Sequence, residues 1–232
     1  MDFVDPDEAA QQMYSSGFID ALGRKNLRAR AAETREEYKE LYKSGLADWY
    51  AVPVELRQRL VGITGVAKRR LKEAGYHSLA DMEWRYACSV GRKTENGWPH
   101  TTGDVIVMPL TALDRRGDED LIRLVVHEAV HVAQRKDPVG TEGLVRGLGF
   151  ARATASAERK IASLGESRAN PDTDGVLYER DETICHPVFH GNVSNLSDIR
   201  YLPDQVHDGL EWVDNPEHPY EIMAELVADA VT

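Results

Sequence analysis

The segment spanning residues 118–135 limits this chain more than any other. Asp118 can cap a helix there, and Glu119 and Asp120 suit the positive end of its dipole. Leu121, Ile122, Leu124, Val125, Val126, Val130 and Val132 then place apolar groups nearly all round that helix. A helix without a polar face has to lie inside a core, with other elements packed about it. Yet this one carries His127, Glu128 and His131. Ionisable groups so placed are costly unless they are paired, hydrogen-bonded or bound to a metal.

Positions i and i+4 share one helix face, so the imidazoles of His127 and His131 project to one side, a turn apart. That spacing serves two nitrogen ligands of a single zinc ion. Glu128, beside the first histidine, can face a water at that ion and act as its general base. The competing reading is a pair of core histidines satisfied by hydrogen bonds, with Glu128 in a salt bridge.

His127-Glu128-Ala129-Val130-His131 resembles the signature of the zincin metallopeptidases. The resemblance implies an α+β, mainly helical fold: a zincin-like core with a small sheet, an active-site helix and a C-terminal ligand helix. It also implies a strand before the helix whose open edge pairs with substrate backbone, and 104–108 lies in the right order for it. A catalytic zinc needs a third protein ligand. Glu221-Ile222-Met223-Ala224-Glu225 is similar to the second motif of gluzincins. That likeness implies Glu221 as the ligand and Glu225 as the hydrogen-bond partner of a zinc histidine. Two rivals stand beside it. One is Glu225 as ligand with Asp229 behind it; the other is Asp137, six residues past the motif but without the glycine turn, because Gln134 occupies the position.

The resemblance covers residues 100–232. Arg168-Ala169-Asn170-Pro171-Asp172 and Glu217-His218-Pro219-Tyr220-Glu221 are similar to segments of small minigluzincin-like proteins, some of them viral. The implied activity is that of a zinc-dependent endopeptidase acting on a peptide or protein. The alternative is an inert zincin-like protein that keeps its metal for stability or binding. Zincins commonly add a Tyr or His that donates to the oxyanion. The candidates are Tyr178, Tyr201, His207, His218 and Tyr220, with His218 first for its nearness to Glu221.

Elsewhere the pattern predicts helices over 31–43, from Pro53 to about Gly75, over 79–89, near 142–164 and from Pro219 to about Ala230, with a strand at 105–108. The organisation expected is a helical N-terminal segment, 1–75, and a metallopeptidase domain, 76–232. Asn170, Asp172, Asp174 and Asp181 imitate the ligand spacing of a calcium loop, with Gly175 at its turn. A loop held by Asx-turns explains the same residues. His186 and His190 also have i,i+4 spacing, but Pro187 and Gly191 argue against a helix.

There are 28 Lys and Arg against 39 Asp and Glu, a formal charge of −11, which repels nucleic-acid phosphates and anionic membranes. The basic stretches 24–30 and 68–72 read as solvated helix faces. Cys88 and Cys185 are too few for a disulfide framework and read as buried thiols. No stretch has the apolar length of a membrane span, and the first residues lack the apolar core of a signal peptide. The expectation is a cytoplasmic protein, with a viral or phage source left open.

Overall fold

Val105, Ile106, Val107 and Met108 are all buried, so the strand they form must be covered on both faces. The computed structural model describes residues 1–43, 49–50, 52–89, 95–181, 184, 186–202 and 218–232. Strand β1 (Asp2–Phe3) is followed by helices α1 (Pro6–Ser15), α2 (Phe18–Ala21), α3 (Arg24–Ala29) and α4 (Arg35–Lys43), and by β2 (Trp49–Tyr50). Helices α5 (Val54–Glu73) and α6 (His77–Asp81) lead into β3 (Arg85–Ser89), β4 (His100–Thr102) and β5 (Val105–Pro109). Next come α7 (Leu110–Arg115), α8 (Asp118–Lys136) and α9 (Pro138–Gly147). The chain continues through β6 (Ala151–Arg152), α10 (Ala155–Leu164), β7 (Glu166–Ser167), β8 (Tyr178–Glu179), β9 (His186–Phe189), β10 (Ile199–Leu202) and α11 (Pro219–Asp229). The architecture is mixed, mainly helical, with small sheets.

The largest sheet has β3 at its centre. It runs parallel to β5 on one side, and on the other pairs in parallel with β1 and antiparallel with β2. Strand β4 closes the far edge, antiparallel to β5. Gly103 makes the tight turn between them at φ +56, a conformation glycine adopts without strain. Side chains alternate across the sheet. Tyr86, Cys88, Ile106 and Met108 join α5, α6, α8 and α11 in one core. Ala87, Val105 and Val107 point the other way into a second core with α1, α2 and α4. Two smaller antiparallel sheets, β10-β9-β7 and β6-β8, hold the chain after α9.

Three expectations change here. The helix expected over 79–89 stops at Asp81, and 85–89 is a strand, because pairing with β5 buries both of its faces. The strand at 105–109 is interior; the edge is β4. The helix expected near 142–164 is split into α9 and α10, with Gly149 at φ +85 between them. Residues on both sides of residue 75 pack together: β1 joins the main sheet and α5 shares a core with α8.

The basic stretch 68–72 is engaged in ion pairs, Arg70 with Glu119 and Lys72 with Asp81, each at 2.7 Å. The stretch 24–30 departs from a solvated face at Arg30, whose guanidinium is buried and donates twice to Glu95, at 2.6 Å each. Tyr38 donates to the same carboxylate at 3.2 Å. Burial alone would raise the Glu95 carboxyl, but Arg30 holds it below the usual range. Arg30→Met leaves that charge buried without its cation and is expected to cost about 3–5 kcal/mol, read from urea denaturation. Arg30→Met with Glu95→Leu is expected to recover most of the loss; if the double variant is no more stable, the pair is not the cause.

Candidate metal centre

Two helices carry the site, and each is placed by its ends. Gly117 in extended conformation caps α8, with Asp118, Glu119 and Asp120 in the first turn and Arg135 and Lys136 in the last, charges that suit the helix dipole. His218 caps α11 by accepting from the Tyr220 N–H at 3.2 Å, and Pro219 opens its first turn. Ala224 and Ala228 are fully buried in the core shared with α8; their small side chains let the two helices approach closely. That contact brings Glu221 to the histidines.

His127 Nε2 and His131 Nε2 lie 3.1 Å apart. Glu221 Oε2 is 3.2 Å from the first and 3.4 Å from the second. The opposite side of each ligand is fixed. Glu225 Oε1 stands 3.3 Å from His127 Nδ1. His131 Nδ1 donates to Gln134 Oε1 at 2.9 Å, and Gln134 Nε2 donates to the Tyr220 carbonyl at 3.0 Å. Asn170 Nδ2 donates to Glu221 Oε1 at 2.8 Å. Carboxylate and amide oxygens only accept, so each imidazole carries a proton on Nδ1, and Nε2 is the atom left to face Glu221.

Two ring nitrogens and a carboxylate oxygen thus converge on one point, where protons on the Nε2 atoms or a bound cation balance the carboxylate. The titration behaviour shows the same demand for positive charge at this point. Burial alone would depress His127, but Glu221 and Glu225 outweigh it and raise it well above the ordinary value. Burial would likewise depress His131, and Glu221 raises it. Burial alone would raise Glu221, yet His131 and His127 hold it well below the carboxylate range. A tetrahedral ion with ligands at about 2.0–2.1 Å sets ligand–ligand edges of roughly 3.3 Å, against the 3.1–3.4 Å found here. The residues fit: His127, His131 and Glu221 can hold a metal ion. The His131 side chain is 1% exposed, His127 14% and Glu221 17%, so the group opens to solvent on the side of His127 and Glu221.

Glu128 is buried, and its Oε2 has no hydrogen-bond partner. Burial pushes its carboxyl up to about 8, with Asp172 adding to the rise and His127 and His131 opposing it. Among the described residues Glu128 forms no salt bridge of the kind the competing reading needs. The other proposed ligands have separate tasks. Asp137 caps α9, accepting from Gly140 N–H at 2.9 Å. Asp229 accepts from Arg123 at 2.8 Å, and Glu225 pairs with the same arginine.

His218 is not placed to donate to an oxyanion. Its Nδ1 is the α11 cap, and its Nε2 lies 3.1 Å from the Val176 carbonyl and 3.3 Å from Asp174. Tyr178 and Tyr220 both donate to Asp174, at 3.1 and 3.0 Å. Tyr201 lies in β10, and His207 falls outside the described residues, as do Cys185 and Glu217. Burial pushes the Cys88 thiol up to about 12.

The calcium reading is corrected. Asp172 accepts from Thr101 N–H and Oγ1, both at 2.6 Å; Asp174 is taken by the tyrosines; Asn170 turns to Glu221; Asp181 lies beside Arg180. The four do not face a common point. The loop is held by Asx-turns instead, Asp172 N–H to Asn170 Oδ1 at 3.0 Å and Val176 N–H to Asp174 at 2.9 Å. The Asp172 bond also occupies the outward N–H of edge strand β4.

Two positioning residues were not read from the sequence as part of the site. Gln134 carried a signal, since three residues past His131 is the same helix face. Asn170 lies in a segment similar to minigluzincin-like proteins and reads as a calcium ligand; nothing local ties it to Glu221, 51 residues away.

A cavity of about 620 Å³ adjoins the centre, lined among others by Thr101, Arg135, Asn170, His186 and His218. His186 sits in strand β9, is buried, and its Nε2 has no hydrogen-bond partner. Burial lowers its imidazole to about 4. An unfolded chain protonates this group near 6.5, so its contribution to stability is full above that pH and is lost as pH falls from 6.5 through 4. The loss is expected to reach about 3 kcal/mol. Urea midpoints of wild type and His186→Leu across that window measure it, and parallel pH curves would refute it.

Among the described residues no helix is long and apolar enough to cross a membrane. Comparison with models of known protein families, with curated proteins and with solved structures finds no match.

Proposed function

We propose that the chain is a zinc-dependent metallopeptidase, most simply an endopeptidase, that holds zinc through His127, His131 and Glu221. One observation carries the catalytic part of this reading. A buried carboxyl with an unpartnered oxygen, Glu128 Oε2, stands next in sequence to a ligand histidine. A structural role would have given that oxygen a donor. A resident zinc supplies Lewis acidity: it polarises a carbonyl, makes a water more acidic, and by its charge favours ionised carboxylates nearby.

The chain's own residues do the rest. His127 and His131 keep their ring planes through Glu225 and Gln134, so their lone pairs do not wander. Glu128 takes a proton at Oε2 from the attacking water and passes it to the leaving amine. The solvent-open side of His127 and Glu221 admits the scissile bond. The formal charge of −11 favours a substrate that is not polyanionic.

The test is a mixed peptide library incubated with the zinc-loaded protein and with its Glu128→Gln form. Cleavage by the first alone supports the reading. A zinc-loaded wild type that cleaves nothing would leave a metal-holding scaffold.

A further inference from the structure

Glu221 has two oxygens, and they meet different partners. Oε2 faces His127 and His131, while Oε1 accepts from Asn170 Nδ2 at 2.8 Å. A carboxylate free at both oxygens can turn and bind a cation through both. One already engaged by an amide donor is kept to a single oxygen. Asn170 is itself held. Its Oδ1 accepts from Asp172 N–H at 3.0 Å, and the Asp172 carboxylate accepts twice from Thr101 at 2.6 Å. Arg135, one turn past His131 on α8, donates to Thr101 Oγ1 at 2.8 Å and to the Pro171 carbonyl at 2.9 Å. The segment that carries Asn170 is therefore tied to edge strand β4 and to the helix of the two histidines.

We infer that Asn170 is a positioning residue of the metal centre: it holds Glu221 by one oxygen, presents the other to the metal, and so keeps a coordination position open for a water or a substrate carbonyl. The inference rests on the metal reading of His127, His131 and Glu221, but not on any particular reaction. It requires an open position only in the sense that three protein ligands do not fill a four-coordinate ion.

The experiment uses cobalt(II) as the probe, loaded into the full-length wild type and into Asn170→Asp, Asn170→Ala and His131→Ala. Cobalt reports its coordination number through the strength of its visible d–d absorption. Asn170→Asp keeps the shape of the side chain and the Oδ1 that Asp172 uses, and replaces the donor to Glu221 by a charged acceptor that repels its Oε1, while Asn170→Ala removes the donor without adding charge; agreement of the two guards against an artefact of either. The expected result is a loss of cobalt affinity of about 10–100-fold in both Asn170 variants. Their d–d bands are expected to weaken as Glu221 turns to bind through both oxygens. Wild-type affinity and band strength in both Asn170 variants, with cobalt lost from His131→Ala, would overturn the role of Asn170 while leaving the metal centre intact. Failure of the wild type to take up cobalt or zinc would overturn the metal centre, and this inference with it.

Discussion

Glu128→Gln should retain one metal per chain and lose about 10²–10⁴-fold in kcat for peptide cleavage, the range a positioned general base contributes. The structure makes this a clean substitution. Glu128 is 3% exposed, and its Oε2 has no partner to lose. Glutamine has the same shape and carries no charge into a buried position, so the fold should be at least as stable as wild type. The metal ligands are untouched, since Glu128 is not among the converging atoms. The measurement is a paired one: metal content by elemental analysis, and initial rates on a peptide that the wild type cleaves. Undiminished cleavage by the variant would sink the assignment of Glu128 as base. Loss of metal with loss of activity would show instead that Glu128 helps to hold the centre.

His131→Ala and Glu221→Ala should each lower metal affinity by more than about 100-fold, beyond what the loss of an outer hydrogen-bond partner costs. They remove different parts of one triangle. His131→Ala takes away a nitrogen from α8 and leaves the Gln134 amide oxygen without its donor. Glu221→Ala removes the one carboxylate oxygen among the described residues that lies within 3.4 Å of both Nε2 atoms, leaving the two imidazoles without their shared anionic partner. Competition with a chromophoric chelator measures both. Glu225→Ala is the internal control: it touches His127 Nδ1 and not the triangle, so its loss should stay within about 10–100-fold. Stoichiometric zinc of wild-type affinity in both ligand variants would rule out this centre. A larger effect from Glu225→Ala than from Glu221→Ala would favour the rival ligand.

Much of the site was legible because helical spacing is local geometry. His127 and His131 face one way because a turn holds 3.6 residues, and that holds in any fold that keeps the helix. The burial of α8 followed from its apolar girdle in the same way. Glu221 needed a resemblance, since nothing between residues 131 and 221 measures the distance separating them in space. The misread segments share a cause. Residues 85–89 read as helix because Arg85, Tyr86, Ala87 and Cys88 have no strong local preference, and pairing with β5 decided them. Asn170, Asp172 and Asp174 read as a calcium loop because acidic spacing looks the same whether the oxygens meet or part. Their partners, Glu221, Thr101 and Tyr220, come from two distant elements, α11 and β4.

The sequence by itself therefore determined the helix, its burial and the two imidazoles on one face, since each depends on residues within a few turns of one another. The tertiary structure decided which of the proposed carboxylates closes the triangle, which strand lies at the edge, and that Asn170 donates to Glu221. Those facts depend on the packing of α8 against α11 through Ala224 and Ala228, and on the pairing of β4 with β5. Contacts between remote segments are fixed by the shared burial of apolar surface and by side-chain volume, and neither is written at any one position of the chain.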